Sequence, residues 1–486
     1  MEYFSEVCQW DVFEVALDGP TMGNPFVDVE LNATFTHDKK TIRSFGFYDG
    51  DGVYRIRCLA DRTGKWAFRT QSNVSALDDK SGTFFVRAAR AGQRGPVRVT
   101  DRFHFAYENG ERYFPFGTTC YVWTHQAEAL QQKTLETLRF SPFNKLRMCV
   151  FPKHYDYNTN QPARFPFEGN IEIGWNWRKP NPEYFRHLEG RIRDLDELGV
   201  EADLILFHPY DQWGFSAMDS ATDDFYLNYL TARLSSFPNI WWSLANEYDL
   251  MKAKTIDDWE RFARIIQQRD AWRHLRSIHN CLGFYDHSRE WVTHCSLQRV
   301  DVYKTSENTN EWRDRWQKPI VIDECGYEGN INWGWGNLTG QEMTRRMWEG
   351  VVRGGYVGHG ETYLNEREEL WWSKGGELVG SSVERIRFLR TLLESASIKN
   401  FSPIPMGLWY WDVPVGGELG KYYLFFFGAS QPRFRVIDLP EDGEFSIDVI
   451  DAWEMSITRL DGAHKGKVRV DLPGKPMMAI RAIRSS

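Results

Sequence analysis

The chain lacks the marks of several large protein classes. No apolar run approaches the ~20 residues needed to cross a bilayer, so no membrane association is expected. Met1 to Trp10 carries Glu2 and Glu6 and has no apolar segment after a basic start, so no secretory leader is expected. Basic clusters are missing too. The 59 Lys and Arg stand against 67 Asp and Glu, for a net charge of −8. Nucleic acid is therefore not an expected partner, because phosphate binding needs clustered cations. Cysteine is sparse: Cys8, Cys58, Cys120, Cys149, Cys281, Cys295 and Cys325 are odd in number and show no paired or metal-type spacing. That fits free thiols in a reducing compartment better than a disulfide framework. Together these absences favour a cytoplasmic protein. Internal repeats and low-complexity segments are also missing.

Aromatic residues are abundant. They make up 15% of the chain, with 21 Trp. An indole is a flat apolar face with one donor, suited to lie against the C–H face of a sugar ring. Most of the 21 Trp nonetheless read as core. The 486 residues allow two to four domains. Residues 1–95 read as all-β, with short alternating runs between turn signals such as Asp49-Gly50-Asp51-Gly52. In Val53–Ala60, Tyr54, Ile56 and Cys58 share one face and Arg55 and Arg57 the other, the period of a half-buried strand. An N-terminal antiparallel β-sandwich is expected.

Residues 96–398 alternate strand-like and helical patterns, the signature of βα units. Asn181 can cap a helix, Pro182 suits its first position and Gly199 can close it, with Phe185, Leu188, Ile192 and Leu195 on one face. Eight strand candidates follow: Tyr113–Gly117, Leu146–Phe151, Ala202–His208, Ile240–Ala245, Arg276–Asn280, Trp291–Ser296, Ile320–Asp323 and Gly355–Gly360. Eight βα units in this span predict an α/β fold, a (β/α)8 TIM barrel. A doubly wound sheet would usually carry a Gly-rich phosphate loop after its first strand, and Gly117-Thr118-Thr119-Cys120-Tyr121 is not one. Residues 399–486 turn β again, predicting a C-terminal antiparallel β-sandwich.

In such a barrel the chemistry sits at the C-terminal strand ends. Asn246-Glu247 follows the fourth candidate strand and Glu324 the seventh. Two carboxyls facing one another across the barrel mouth are what glycoside hydrolysis requires, one protonated and one ionised. At ~5–5.5 Å apart they work through a covalent intermediate with retention, and at ~6.5–9.5 Å through a water with inversion.

Asn246-Glu247 after a Trp-rich fourth strand, with Glu324 ending the seventh, resembles the clan A retaining glycoside hydrolases. The resemblance implies that Glu247 is the acid/base and Glu324 the nucleophile. It implies that Asn246 holds the sugar 2-hydroxyl and that Arg147, near the end of strand two, steadies the nucleophile. Phe116-Gly117-Thr118-Thr119, His208-Pro209-Tyr210-Asp211-Gln212-Trp213-Gly214 and Ser243-Leu244-Ala245-Asn246-Glu247-Tyr248-Asp249 resemble, more narrowly, the apiosidase-like family, whose members often carry flanking β domains. The expected reaction is a double displacement on a small oligosaccharide or glycoside, exo-acting if the protein is cytoplasmic. It needs no metal or organic cofactor.

Other residues carry two readings. Asp211 could bind substrate hydroxyls or cap the next helix. His279 and His294 follow strands five and six, where subsite contacts belong. Glu361 follows strand eight and could bind sugar hydroxyls or pair with an arginine. Trp123, Trp213, Trp333, Trp335, Trp371 and Trp372 lie beyond strands, where one or two could stack on substrate while the rest pack. Cys325 beside Glu324 has no paired base and reads as inert. Two further hypotheses compete. A metal-dependent hydrolase would use His208, His279 and His294, but it lacks the paired His-x-His expected after strand one. A non-catalytic carbohydrate-binding protein would not need both glutamates and Asn246. Sugar identity and oligomeric state are open in the sequence, a homo-oligomer included.

Overall fold

The computed structural model describes residues 4–485 except 300, 302 and 303. The first three residues of the Met1–Trp10 segment, read above for a leader, lie outside the described residues. Eight parallel segments organise the middle of the chain. They are β1 (Gly117–Thr119), β2 (Lys145–Cys149), β3 (Glu201–Phe207), β4 (Ile240–Ala245), β5 (Arg276–Ser277), β6 (Cys295–Gln298), β7 (Ile320–Glu324) and β8 (Tyr356–Val357). β1 to β5 pair in sequence order, and so do β6, β7 and β8. Parallel bridges from His279 to Ser296 and from Thr118 to His359 join the two groups, so the pairing closes on itself. Every residue of β2, β3, β4 and β7 is buried, as expected of parallel strands covered on both faces.

Helices return the chain between most strands: α1 (Glu128–Phe140), α2 (Pro182–Glu197), α3 (Ser220–Leu234), α4 (Ile256–Arg269), α5 (Thr309–Trp316), α6 (Gly340–Val352) and α7 (Ser382–Glu394). Among the described residues no helix separates β5 from β6. The sequence signals explain the boundaries. The Asn181 side chain caps α2 by accepting from Glu183 N, and Gly199 beyond its end takes φ +70, which glycine adopts without strain. Thr255 and Asp258 form a reciprocal capping box at the start of α4. No helix among the described residues is long and apolar enough to cross a membrane.

Two strands differ from expectation. Arg112–Tyr113 pairs antiparallel with His104–Tyr107 rather than opening the ring, and β1 begins only at Gly117. Pro115 stands between them, and without an N–H it interrupts any ladder across 113–117. The sixth strand is Cys295–Gln298, not Trp291–Ser296, so its end falls two residues later. The antiparallel strands at Val97–Thr100, His104–Tyr107 and Arg112–Tyr113 help close the floor of the ring, where Phe105 and Tyr113 pack with Trp241, Val321 and Tyr356.

Before the ring, a five-stranded and a three-stranded sheet share one core, containing Phe13, Ile56, Cys58, Phe35, Phe68 and Phe84. After it, a six-stranded sheet and the Phe434–Asp438/Lys467–Asp471 pair share another, with Phe425, Ile437, Ile447 and Val470. Arg57 turns away from the N-terminal core, as its alternation predicts, but it is buried against α2 and α3. It donates to Glu189 at 2.8 Å and to the Arg233 carbonyl at 2.7 Å.

Glu201, at the start of β3, accepts 3.0 Å from the Trp241 indole N–H. Burial pushes its pKa from 4.5 up to about 8. A folded pKa above the unfolded one means a cost that is absent below pH 4.5 and grows as pH rises toward 8. Glu201→Gln keeps an acceptor for Trp241 and removes that cost. The variant is expected to gain about 1–3 kcal/mol at pH 8 and nothing at pH 4 in denaturant melts. Equal stability at pH 8 would mean that water reaches the carboxylate.

Candidate active site

β4 delivers Asn246 and Glu247 immediately beyond its last residue, and β7 ends on Glu324. Asn246 is 1% exposed and the two glutamates 6% each. Glu247 holds φ 52 and ψ 54, in the left-handed region that favours glycine. Such a conformation costs on the order of 1 kcal/mol, and surroundings must hold it. Here Tyr248 N donates to His279 O and Leu250 N to Glu247 O, each at 3.0 Å, fixing the turn that carries the carboxyl into the ring's mouth.

The two carboxyls receive different donors. Arg147, from β2, reaches Glu324 Oε1 at 3.2 Å and Asn246 Oδ1 at 2.7 Å. The Tyr121 hydroxyl, just past β1, donates to the same Glu324 oxygen. Glu247 instead accepts from the Tyr210 hydroxyl, beyond β3. Gln298 closes the arrangement. Its end faces two carboxylate oxygens, acceptors only, which turns its amide nitrogen toward them, 3.2 Å from Glu247 Oε1 and 3.2 Å from Glu324 Oε2. Those two oxygens therefore lie no farther apart than twice that distance. Burial and the Glu247 carboxyl push the Glu324 pKa up overall, with Arg147 and the Tyr121 hydroxyl offsetting part of the rise.

Lys145 lies below, between Asp203 at 2.5 Å and Asp323 at 2.8 Å, and Asp323 also accepts from Ser296 at 2.5 Å. Above, the cleft holds about 600 Å³. Tyr155, Tyr157, Tyr327, Trp335 and Trp372 form much of its wall, and Trp333, 53% exposed, stands at its mouth. Lys153 enters from the loop after β2 among the faces of Tyr121, Tyr155, Tyr210 and Trp372.

The structure thus brings together Glu247, Glu324, Asn246 and Arg147. It takes the other expected residues elsewhere. Asp211 accepts from Trp213 N and Ser216 N at 2.7 Å each, so both oxygens brace the turn before α3. Trp213 packs on Phe165 and Phe215 and gives its indole N–H to Gln161. Trp123 is fully buried, with its indole N–H on Met148 Sδ, and Trp371 donates to Thr118 at 2.8 Å. His294 packs on Trp241 and Phe105 at the floor, because β6 begins after it rather than before it. His279 is buried, with both ring nitrogens unpartnered and its pKa lowered by burial and by Arg147. Glu361 accepts from Val379 N at 2.8 Å and Gly380 N at 2.9 Å, outside the cleft. Of the six tryptophans named from the sequence, Trp333, Trp335 and Trp372 line the cleft.

The three histidines of the metal hypothesis do not meet. His208 faces the Phe151 carbonyl, and the other two lie as just described. One buried group among the described residues, Glu328, His359 and Glu361, could hold an ion by spacing. Its carboxylates already accept backbone N–H groups of Val379, Gly380, Ser381 and Ser382.

Sequence reasoning missed four residues at the carboxyl pair or beside it: Tyr121, Lys153, Tyr210 and Gln298. Tyr121 and Tyr210 lie inside motifs quoted above, but nothing marks a loop tyrosine as turned inward. Gln298 is re-aimed by a register irregularity between Leu297 and Gln298 in the β6–β7 pairing, a bulge of the kind that redirects side chains beside active sites.

This closed parallel ring with paired carboxyls at its mouth has the fold of glycoside hydrolases. A glycoside hydrolase family 5 structure from Bacteroides vulgatus ATCC 8482 matches with a TM-score of 0.62 at 16% identity, over 80% of this chain and 94% of that one. The particular family is narrower: residues 100–392 match the apiosidase-like catalytic domain, and the chain belongs to that family. Residues 6–73 and 411–483 match two domains of unknown function, DUF5060 and DUF5605. A candidate glycoside hydrolase from Bacteroides vulgatus ATCC 8482 is 37% identical over 99% of this chain and 100% of its own, with a TM-score of 0.93. No curated protein matches the chain.

Proposed function

We propose that the protein is a retaining glycoside hydrolase acting by double displacement, with Glu324 as nucleophile and Glu247 as general acid/base. The observation that carries this reading is the Gln298 bridge. Its amide nitrogen lies 3.2 Å from an oxygen of each carboxyl, so one small side-chain group spans the pair, an arrangement that supports the close spacing of a retaining pair. The contacts assign the roles. The guanidinium of Arg147 and the Tyr121 hydroxyl support a carboxylate at Glu324, as a nucleophile needs, while Glu247 has a tyrosine hydroxyl and, among the described residues, no arginine beside it, which suits the acid/base role.

Glu324 attacks the anomeric carbon as Glu247 gives its proton to the departing oxygen. Once the glycosyl ester has formed, Glu324 carries no charge, and Glu247, now ionised, takes a proton from the incoming water. Asn246, held by Arg147, is positioned for the sugar 2-hydroxyl. Trp333, Trp335 and Trp372 offer apolar faces for sugar rings. The ring of strands reads as a (β/α)8 barrel spanning 96–398, and the flanking units, 1–95 and 399–486, as β-sandwiches. The seven unpaired cysteines support a reducing compartment, where a short glycoside cleaved from its end is the natural substrate.

Glu247→Gln tests the acid role. It is expected to lose on the order of 10²–10⁴-fold in turnover on glycosides with a basic leaving group. The loss should be much smaller on an aryl glycoside whose leaving group departs without a proton. A uniform loss on both would remove Glu247 from the acid role.

A further inference from the structure

We propose that Lys153 selects an acidic sugar, its ammonium pairing with the carboxylate of a hexuronic acid residue bound against Glu247 and Glu324. The inference rests on the glycosidase reading above and names its substrate class. Three cations lie near the carboxyl pair. Lys145 is held between Asp203 and Asp323, and Arg147 is held on Glu324. Lys153 differs from both. It is 2% exposed, yet no ion pair or hydrogen bond of its ammonium occurs among the described residues. Aromatic faces surround it instead, with Nζ 3.8 Å from the Tyr121 ring centre, 4.2 Å from Tyr210, 4.3 Å from Tyr155 and 5.3 Å from Trp372.

An ammonium has three donors and no acceptor. Ring faces stabilise its charge but leave those donors largely unmet, and burial without acceptors is costly. The tyrosine hydroxyls do not accept from it, because Nζ lies over the ring faces while the hydroxyls reach Glu324, Glu247 and Ser373. Lys153 lines the cleft, so what fills the cleft can supply the missing acceptor. Two of the rings that cage Lys153 also hold the reacting carboxyls, so that acceptor belongs to the sugar undergoing cleavage. A hydroxyl would return one hydrogen bond to a neutral acceptor and leave the charge unpaired. A carboxylate returns a hydrogen bond in which both partners are ionised, strengthened by the low-dielectric cage.

The test compares nitrophenyl uronides with the hexosides of the same ring configuration, for wild type and Lys153→Met. The wild type is expected to favour the uronide in kcat/KM on the order of ten- to a hundredfold. Lys153→Met is expected to abolish that ratio. The wild-type ratio decides even if the variant fails to fold. Preference for the hexoside, or an equal loss on both by the variant, overturns the proposal and leaves the glycosidase reading standing. If neither series is cleaved, tryptophan fluorescence is titrated with free glucuronate, galacturonate, glucose and galactose. Acid-selective quenching that Lys153→Met removes would uphold the recognition while the glycosidase reading falls. No acid-selective binding overturns both.

Discussion

Glu324→Gly is expected to lose turnover on the order of 10⁴-fold or more and to regain it when azide is added. In the proposed mechanism the glycine removes the attacking carboxylate, and it leaves a space beside Arg147 and Tyr121, which otherwise hold Glu324 Oε1. A small anion can enter that space and attack from the same face. The product is a glycosyl azide of inverted configuration. Glu247 still protonates the leaving group, so rescue should be strongest where the departing oxygen needs that proton least. Azide with Glu247→Gly should give the opposite stereochemistry, because azide then attacks the intermediate already formed on Glu324. Full activity in Glu324→Gly on a glycoside that the wild type cleaves would remove the nucleophile assignment.

The second large effect concerns stability. Arg57→Met is expected to cost about 3–5 kcal/mol at neutral pH, read from denaturant melts. Arg57 spans the junction between the N-terminal sheets and the ring. It donates to Glu14 and Glu189 at 2.8 Å each, while Arg233 donates to Glu189 at 2.6 Å and reaches Asp49 at 2.8 Å. Methionine of similar volume leaves Glu189, 1% exposed, with one close guanidinium where it had two. Burial alone would raise the Glu189 pKa, but Arg57 and Arg233 overcome it and hold the value at about 2. A depressed folded pKa is worth stability above the unfolded value of 4.5, lost as pH falls through 4.5 toward 2. The penalty of Arg57→Met should therefore shrink below pH 4. A variant within ~0.5 kcal/mol of wild type would mean that desolvation cancels the pairing.

The sequence made some parts of this molecule plain for identifiable reasons. α2 was legible because Asn181, Pro182 and Gly199 are local signals whose effect does not depend on tertiary contacts. Glu247 and Glu324 were legible because each ends an apolar strand, and a strand's C-terminal end is where a parallel ring opens. Arg147 and Asn246 came through the resemblance. What was hidden is orientation. A histidine after a strand can face the mouth or the floor. His294 fell to the floor because β6 starts one residue after it, while His279 is fully buried. Asp211 looked the same whether it served a sugar or a turn. Gln298 depends on a bulge, which breaks the period-two pattern from which strand faces are read. Pro115 could have been used to move the first strand, since a missing N–H is visible in the sequence.

The central claim is a carboxyl pair working through a covalent intermediate, and the stereochemistry of hydrolysis tests it most directly. Proton NMR of the anomeric signals, followed from the first minute on any glycoside that the enzyme cleaves, identifies the anomer formed before mutarotation. The account predicts that this anomer has the configuration of the substrate. First appearance of the opposite anomer would place a water between Glu247 and Glu324 and contradict the double displacement.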